Sequence, residues 1–246
     1  MKLTALLLLM NLAAGVIYAQ TSPQEIKNVN KDVIAEVLGK KITIEDKNDF
    51  DGLIIKALLE QFEKENNLKP TAEELDTFIM KQEERKQQQQ LQYEKKRSRL
   101  LTELKVDTLS EQERKDKDSE LQATESYLTS ARMNKEKWKG QEEQIRIMTR
   151  ELARQFVKIW KINKALYAKY GGRVIFQQVG AEPIDAFRDF LKEQEKKGAF
   201  QIIDKTYEAS FWRYYTNDAI HSFYKKAEGA RFINTPWWMM EQPPEE

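Results

Sequence analysis

Few residues in this chain could do chemistry. It has one histidine, His221, and no cysteine among its 246 residues. A zinc site built from histidine and cysteine is therefore not available. A Ser-His-Asp triad would have to use His221, and no serine sits in a sequence resembling a nucleophile elbow. His221 reads instead as a surface histidine or a member of an aromatic cluster. Glycine is scarce, and no phosphate-cradling or dinucleotide-type glycine pattern occurs. Carboxylates are plentiful but lie three or four residues from lysine and arginine, the spacing of solvated helix pairs. No catalytic residues, no metal site and no cofactor are therefore assigned.

The other residues of note are apolar and aromatic. Pro236-Trp237-Trp238-Met239-Met240 is unusually apolar for a terminal stretch. Such a segment either docks on its own protein or meets a partner, so Trp237, Trp238 and Met239 are candidate partner-docking residues. The chain upstream is rich in tyrosine and tryptophan, which could form a core or a ligand platform.

These side chains must be positioned mainly by helices. Asp46 to Asn66 carries Phe50, Ile54, Ala57, Leu58 and Phe62 at helical spacing, widened by Leu53, Ile55 and Leu59. Pro70 ends it, and Thr71 with Glu74 forms a capping box that opens a second helix with Leu75, Phe78 and Ile79 on its apolar face. From about 81 to 140 the sequence is polar and helix-forming, with a break at 107–110 and a second capping box at Ser110 and Glu113. Gln141 opens a long helix whose buried side is expected to be Ile145, Met148, Leu152, Phe156, Ile159, Trp160, Leu166 and Tyr170. Gly171-Gly172 terminates it. Polar helix that leaves a core and returns as apolar helix describes a projecting arm.

Short β-prone runs flank the helices. Val33–Leu38 and Ile42–Ile44 predict a hairpin turning at Gly39. Arg173–Gln177 is expected to add a third strand, because a lone hairpin is marginal. Further helices are expected from Pro183 to Gly198, and from Asp204 through Tyr207, Phe211, Tyr215, Ala219 and Phe223. The expected fold is mainly α: a helical body with a small β-hairpin or three-stranded sheet and a projecting helical arm.

Residues 1–19 read as a secretory signal, with Lys2 before an apolar stretch and cleavage expected after Ala19. Residues 20–32 form a polar lead-in, 181–240 an aromatic-rich helical C-terminal extension, and 241–246 a disordered end. Without the leader the basic and acidic residues balance, giving no electrostatic reason to bind nucleic acid. No integral membrane segment is expected after cleavage. A cysteine-free exported chain of this size fits a bacterial periplasm.

One stretch carries a family likeness. VIAEV, then Gly39, then Lys41-Ile42-Thr43 and acidic residues leading into LIIKALLEQFEKENNL, followed by PTAEELDTFI, resembles the N-terminal domain of the SurA-like periplasmic chaperones. The returning WKINKALYAKYGGRVIFQQ is similar to the way such a domain closes. The likeness covers roughly residues 30–180, with 33–180 taken as the domain, and is strongest over 33–79. Leu38 stands where the family has asparagine. The parvulin prolyl-isomerase domain usual in the family is missing, with polar helix at 81–140 in its place, so isomerase activity does not carry over.

The resemblance implies a non-catalytic, chaperone-like protein that binds unfolded or extended segments of exported polypeptides and serves outer membrane protein biogenesis. Leu53, Ile54, Leu58, Phe62, Phe78 and Trp160 are the peptide-binding candidates, with ordinary core the competing reading for each. Two alternatives stand beside it: an envelope adaptor or assembly factor for one specific partner, and an enzyme of unknown chemistry in the aromatic C-terminal region.

Overall fold

The computed structural model describes residues 32–177 and 179–240. The signal sequence and its cleavage site, nearly all of the lead-in, and residues 241–246 lie outside these. The described chain is 71% helix with seven α-helices, and small three-stranded and two-stranded antiparallel sheets complete it.

The hairpin forms as expected. Strand β1 (Val33–Val37) pairs antiparallel with β2 (Lys40–Thr43) across a two-residue turn. Leu38 and Gly39 both have positive φ, 49° and 76°. Two positive φ values in succession belong to the type I′ turn, whose twist matches that of the flanking strands.

The third strand is not the expected one. β1 takes Phe200–Ile202 as its other neighbour, giving the order β2-β1-β5. Ile175–Gln177 forms β3, which pairs with Gly180–Glu182 (β4) in a separate hairpin. The reason lies in the burial pattern. In Phe200-Gln201-Ile202 two large apolar side chains alternate with an exposed glutamine, so one face of the strand completes the core over β1.

Helix α1 (Phe50–Glu65) buries Phe50, Ile54, Leu58 and Phe62. Across a proline-marked turn, α2 (Ala72–Glu103) begins at the Thr71–Glu74 capping box and runs unbroken for 32 residues. α3 (Glu111–Lys137) starts at the Ser110–Glu113 box and folds back along α2. The pairing is antiparallel: Lys117 bonds Glu103 at 2.6 Å, Arg97 bonds Glu125 at 3.0 Å, and the Tyr93 and Tyr127 rings stack at 3.8 Å. Leu100 and Thr124 are the buried residues between these two helices, so the arm is a thin two-helix hairpin with little core of its own.

Helix α4 (Glu142–Tyr170) returns to the body and ends at Gly171, φ 68°. Its buried residues are Ala153, Val157, Ile162, Asn163 and Leu166. Leu166 is buried as expected, but in the first half of the helix the stripe is rotated by about one residue: Met148 and Leu152 are exposed, because the small Ala153 and the branched Val157 let α2 approach closely.

α5 (Ile184–Lys196) packs on α4. The long helix expected after Asp204 is interrupted. Asp204 caps a short 3-10 turn and α6 (Glu208–Thr216) follows. Asn217 then caps a second turn, and Phe223 bridges to Ile175 in extended conformation. Thr216-Asn217-Asp218 is a run of residues that favour caps over helix interiors. α7 (Lys226–Asn234) leads to the C-terminal segment.

One core gathers β1, β2, α1, the second half of α4, α5, β5 and α6. The boundary drawn at residue 180 from the sequence falls inside this core, since Phe187, Phe190, Leu191 and Phe211 pack with Ile54 and Leu58. A second, smaller core joins the start of α2 to the first half of α4 and the C-terminal segment.

Candidate functional site

The second core is a groove with a piece of the same chain lying in it. Its floor comes from two helices. Leu75 and Phe78 on α2 meet Ala153, Phe156 and Val157 on α4, with Phe78 and Phe156 stacked at 5.5 Å. Successive turns of α2 present Phe78, Gln82 and Arg85 on one face, by the i, i+4, i+7 spacing of a helix. Trp160 closes the α4 side.

The C-terminal segment enters after α7. Trp238 is 3% exposed and sets its ring edge-on to Phe78 at 5.0 Å and to Trp160 at 5.8 Å. Trp237 packs edge-on to Phe156 at 5.7 Å and lies against Gly180, where an added Cβ would come within 3.2 Å of its ring. Its ring also receives the Arg85 guanidinium at 5.3 Å.

The polar contacts to this segment go to its backbone. Arg85 Nη2 donates to the carbonyls of Trp237 and Met240, both at 2.6 Å. Just before the segment, Trp160 Nε1–H donates to the Ile233 carbonyl in the last turn of α7 at 2.9 Å. Met239 N–H closes a tight turn onto the Pro236 carbonyl. Burial lowers the Arg85 pKa, but an arginine stays charged, so these are charge-assisted bonds to main-chain oxygens.

The fit is incomplete. Trp237 Nε1 and Gln82 Nε2 are buried without a hydrogen-bond partner among the described residues. Each buried donor left unpaired costs about 1–3 kcal/mol. Beside Trp238 a solvent-open depression of about 320 Å³ remains, lined by Glu73, Glu74, Thr77, Val157 and Trp160 on the helices and by Asn234, Thr235, Pro236 and Met239 at the end of the chain.

The residues expected to bind peptide are distributed differently from that expectation. Ile54, Leu58 and Phe62 fill the main core and Phe78 the second, all nearly inaccessible. As packed, none of the four offers surface to a peptide: the α1 face is covered by α4, α5, α6 and the sheet, and Phe78 by α4 and the C-terminal segment. Leu53 is exposed and isolated from that group. Trp160 is half-buried at the groove. Of the docking candidates, Trp237 and Trp238 are seated on their own chain, and Met239 is exposed. Arg85 and Gln82 were missed. They sit in a polar run, KQEERK, whose only signal is that both fall on the Phe78 face.

A different cluster surrounds His221. Tyr214 OH donates to Glu182 Oε2 at 2.7 Å and accepts from Gln177 Nε2 at 2.9 Å. His221 Nε2 lies 2.6 Å from the Tyr214 carbonyl, and its ring meets the Tyr214 ring edge-on. Burial raises the Glu182 pKa, and burial with the Glu182 charge raises that of Tyr214. Histidine, tyrosine and carboxylate are thus brought together, but their hydrogen bonds are directed at one another. Among the described residues no group of three or more His, Cys, Asp and Glu side chains could hold a metal ion.

Arg173 anchors the same region. It forms paired bonds to Asp185 and to Asp218, and its guanidinium lies 4.2 Å from the centre of the Phe223 ring. These contacts tie the β3 hairpin, the start of α5 and the turn after α6 into one unit. Among the described residues no helix is long and apolar enough to cross a membrane.

Compared with known proteins, no family model matches the chain, and no match is found to a curated protein or a solved structure.

Proposed function

We propose that this chain is a non-catalytic, chaperone-like protein of the bacterial periplasm that binds unfolded or extended polypeptide. The observation that carries this reading is the distribution of exposed apolar side chains. Ile147, Met148 and Leu152 stand exposed together on α4, with Met148 and Leu152 one turn apart, while Met80, Leu91, Leu101 and Met133 stand exposed along α2 and α3 and Val106 in the turn between them. The Ile147, Met148 and Leu152 patch on a solvated helix, with further apolar side chains along the arm, suits weak, multipoint contact with extended chain, whereas a small-molecule enzyme concentrates such side chains in a pocket. The polar arm adds reach, and the near-balanced charge of the whole chain gives no global preference for acidic or basic clients.

The test is suppression of aggregation of a chemically unfolded test protein. The full chain at several-fold molar excess is expected to reduce light scattering. Replacing Ile147, Met148 and Leu152 together by Ser is expected to weaken that effect without lowering thermal stability, since all three are exposed. No suppression by the unmodified chain would overturn the reading.

A further inference from the structure

We infer that the groove between α2 and α4 is an exchangeable peptide site, and that Pro236–Met240 is its resident occupant, standing in for an apolar segment of another polypeptide. This rests on the reading that the protein binds polypeptide, and it names one place and one ligand chemistry. The ligand is a short stretch with two successive large apolar side chains in a tight turn.

Three observations point there. First, Arg85 holds the segment by the carbonyls of Trp237 and Met240, groups that every polypeptide carries. Such main-chain contacts do not depend on the ligand's side chains, and selection comes from the aromatic pocket that seats the two tryptophans. Second, the resident fits imperfectly. The Trp237 and Gln82 donors are unpaired among the described residues, and a solvent-open depression of about 320 Å³ lies beside Trp238. A ligand with an acceptor near Gln82 and a larger side chain beside Trp160 would fill both. Third, the second core is separate from the main one, so releasing the segment leaves the β-sheet, α1, α5 and α6 packed.

The segment is therefore a competitor in cis. Its removal exposes Phe78, Phe156 and Trp160 together, an aromatic surface that water meets unfavourably, and a segment in trans covers the same surface.

The experiment uses the full chain and a fluorescent peptide of sequence TPWWMMEQ. The Trp238→Ala variant, with its own segment weakened, is expected to bind the peptide at least roughly tenfold more tightly than the unmodified chain, in which the resident competes. A peptide with both tryptophans replaced by alanine is expected not to bind. Arg85→Ala added to the variant is expected to weaken binding roughly tenfold, the loss of one charge-assisted pair of bonds. Hydrogen exchange on the unmodified chain gives a readout that needs no variant. The Met239 and Met240 amides are expected to exchange faster than those of Phe78 and Val157, and faster again with excess peptide. A folded Trp238→Ala variant that ignores the peptide overturns the proposal. So do Met239 and Met240 amides that open only together with α4, since the segment is then fixed core. Peptide binding without aggregation suppression sinks the general chaperone reading and leaves the groove standing. Suppression without peptide binding does the reverse.

Discussion

Several single residues sit in conformations or charge states with measurable consequences. Leu38 holds φ 49° in the β1–β2 turn while exposing its side chain. A left-handed non-glycine residue costs about 1–2 kcal/mol, and asparagine tolerates that region better. Leu38→Asn is expected to raise the thermal midpoint, by about 0.5–1 kcal/mol of stability. The sequence warned of this, because leucine before glycine is a poor turn pair, but only the structure shows that both turn residues take positive φ. At the other end of the chain, the Arg173 guanidinium, with Arg188 beside it, holds the Asp185 carboxyl at a pKa of about 2. A depressed carboxylate contributes stability that is present above its unfolded pKa of about 3.9 and is lost as pH falls through its folded value. Stability is therefore expected to fall between about pH 4 and pH 2. Arg173→Gln is expected to flatten that dependence and to cost about 1–2 kcal/mol at pH 7, a figure discounted because Arg173 is partly exposed. Glu182 has the opposite sign. Burial raises its pKa, so its contribution is most favourable below the unfolded value and declines as pH rises through the folded one. Glu182→Gln, which still accepts from Tyr214, is expected to raise the midpoint at pH 7, with the gain disappearing toward pH 4 in denaturation curves run at each pH.

At the scale of elements, helix existence was the most legible property. Both capping boxes open helices at the residues that spell them, and Gly171 ends α4. Periodicity also found the face of α1. It misjudged α4, because leucine and methionine weigh more in an apolar stripe than alanine, yet close helix packing selects small side chains such as Ala153. Strand pairing was not legible. Arg173–Gln177 has the stronger β-prone composition, but the place beside β1 goes to Phe200–Ile202, whose alternating burial was overlooked after the Gly198 stop. β4 and α7 also passed unseen, one a three-residue strand and the other a nine-residue helix with a glycine in it. The arm makes an element-scale prediction. Leu100 and Thr124 are its buried residues, so Leu100→Ala is expected to remove about 2–5 kcal/mol from the arm alone. Hydrogen exchange should then quicken across 86–137 while the amides of α1 and α5 keep their protection. If α1 and α5 loosen equally, the arm and body fold as one cooperative unit.

On the scale of the whole molecule, the groove was half visible in the sequence. The apolar Trp237-Trp238 pair announced a docking event, and Phe78 and Trp160 were named among the candidates. That these four meet could not be read, since α2, α4 and the C-terminal segment are brought together only by the path of the chain through the main core. A chain ending at Asn234 lacks the whole segment. The truncation uncovers Phe78 and Trp160 as well as deleting a docking segment, so gain of client binding is the expected result. One further consequence follows from α2 being a single uninterrupted helix. Phe78, in the groove floor, and Leu100, near the arm tip, lie on the same rod about 33 Å apart at 1.5 Å per residue. A tilt of about 5° at the root moves the tip by about 3 Å on the same geometry. The molecule is in this respect a lever, with the Pro236–Met240 segment seated at its fulcrum and the arm tip as its free end.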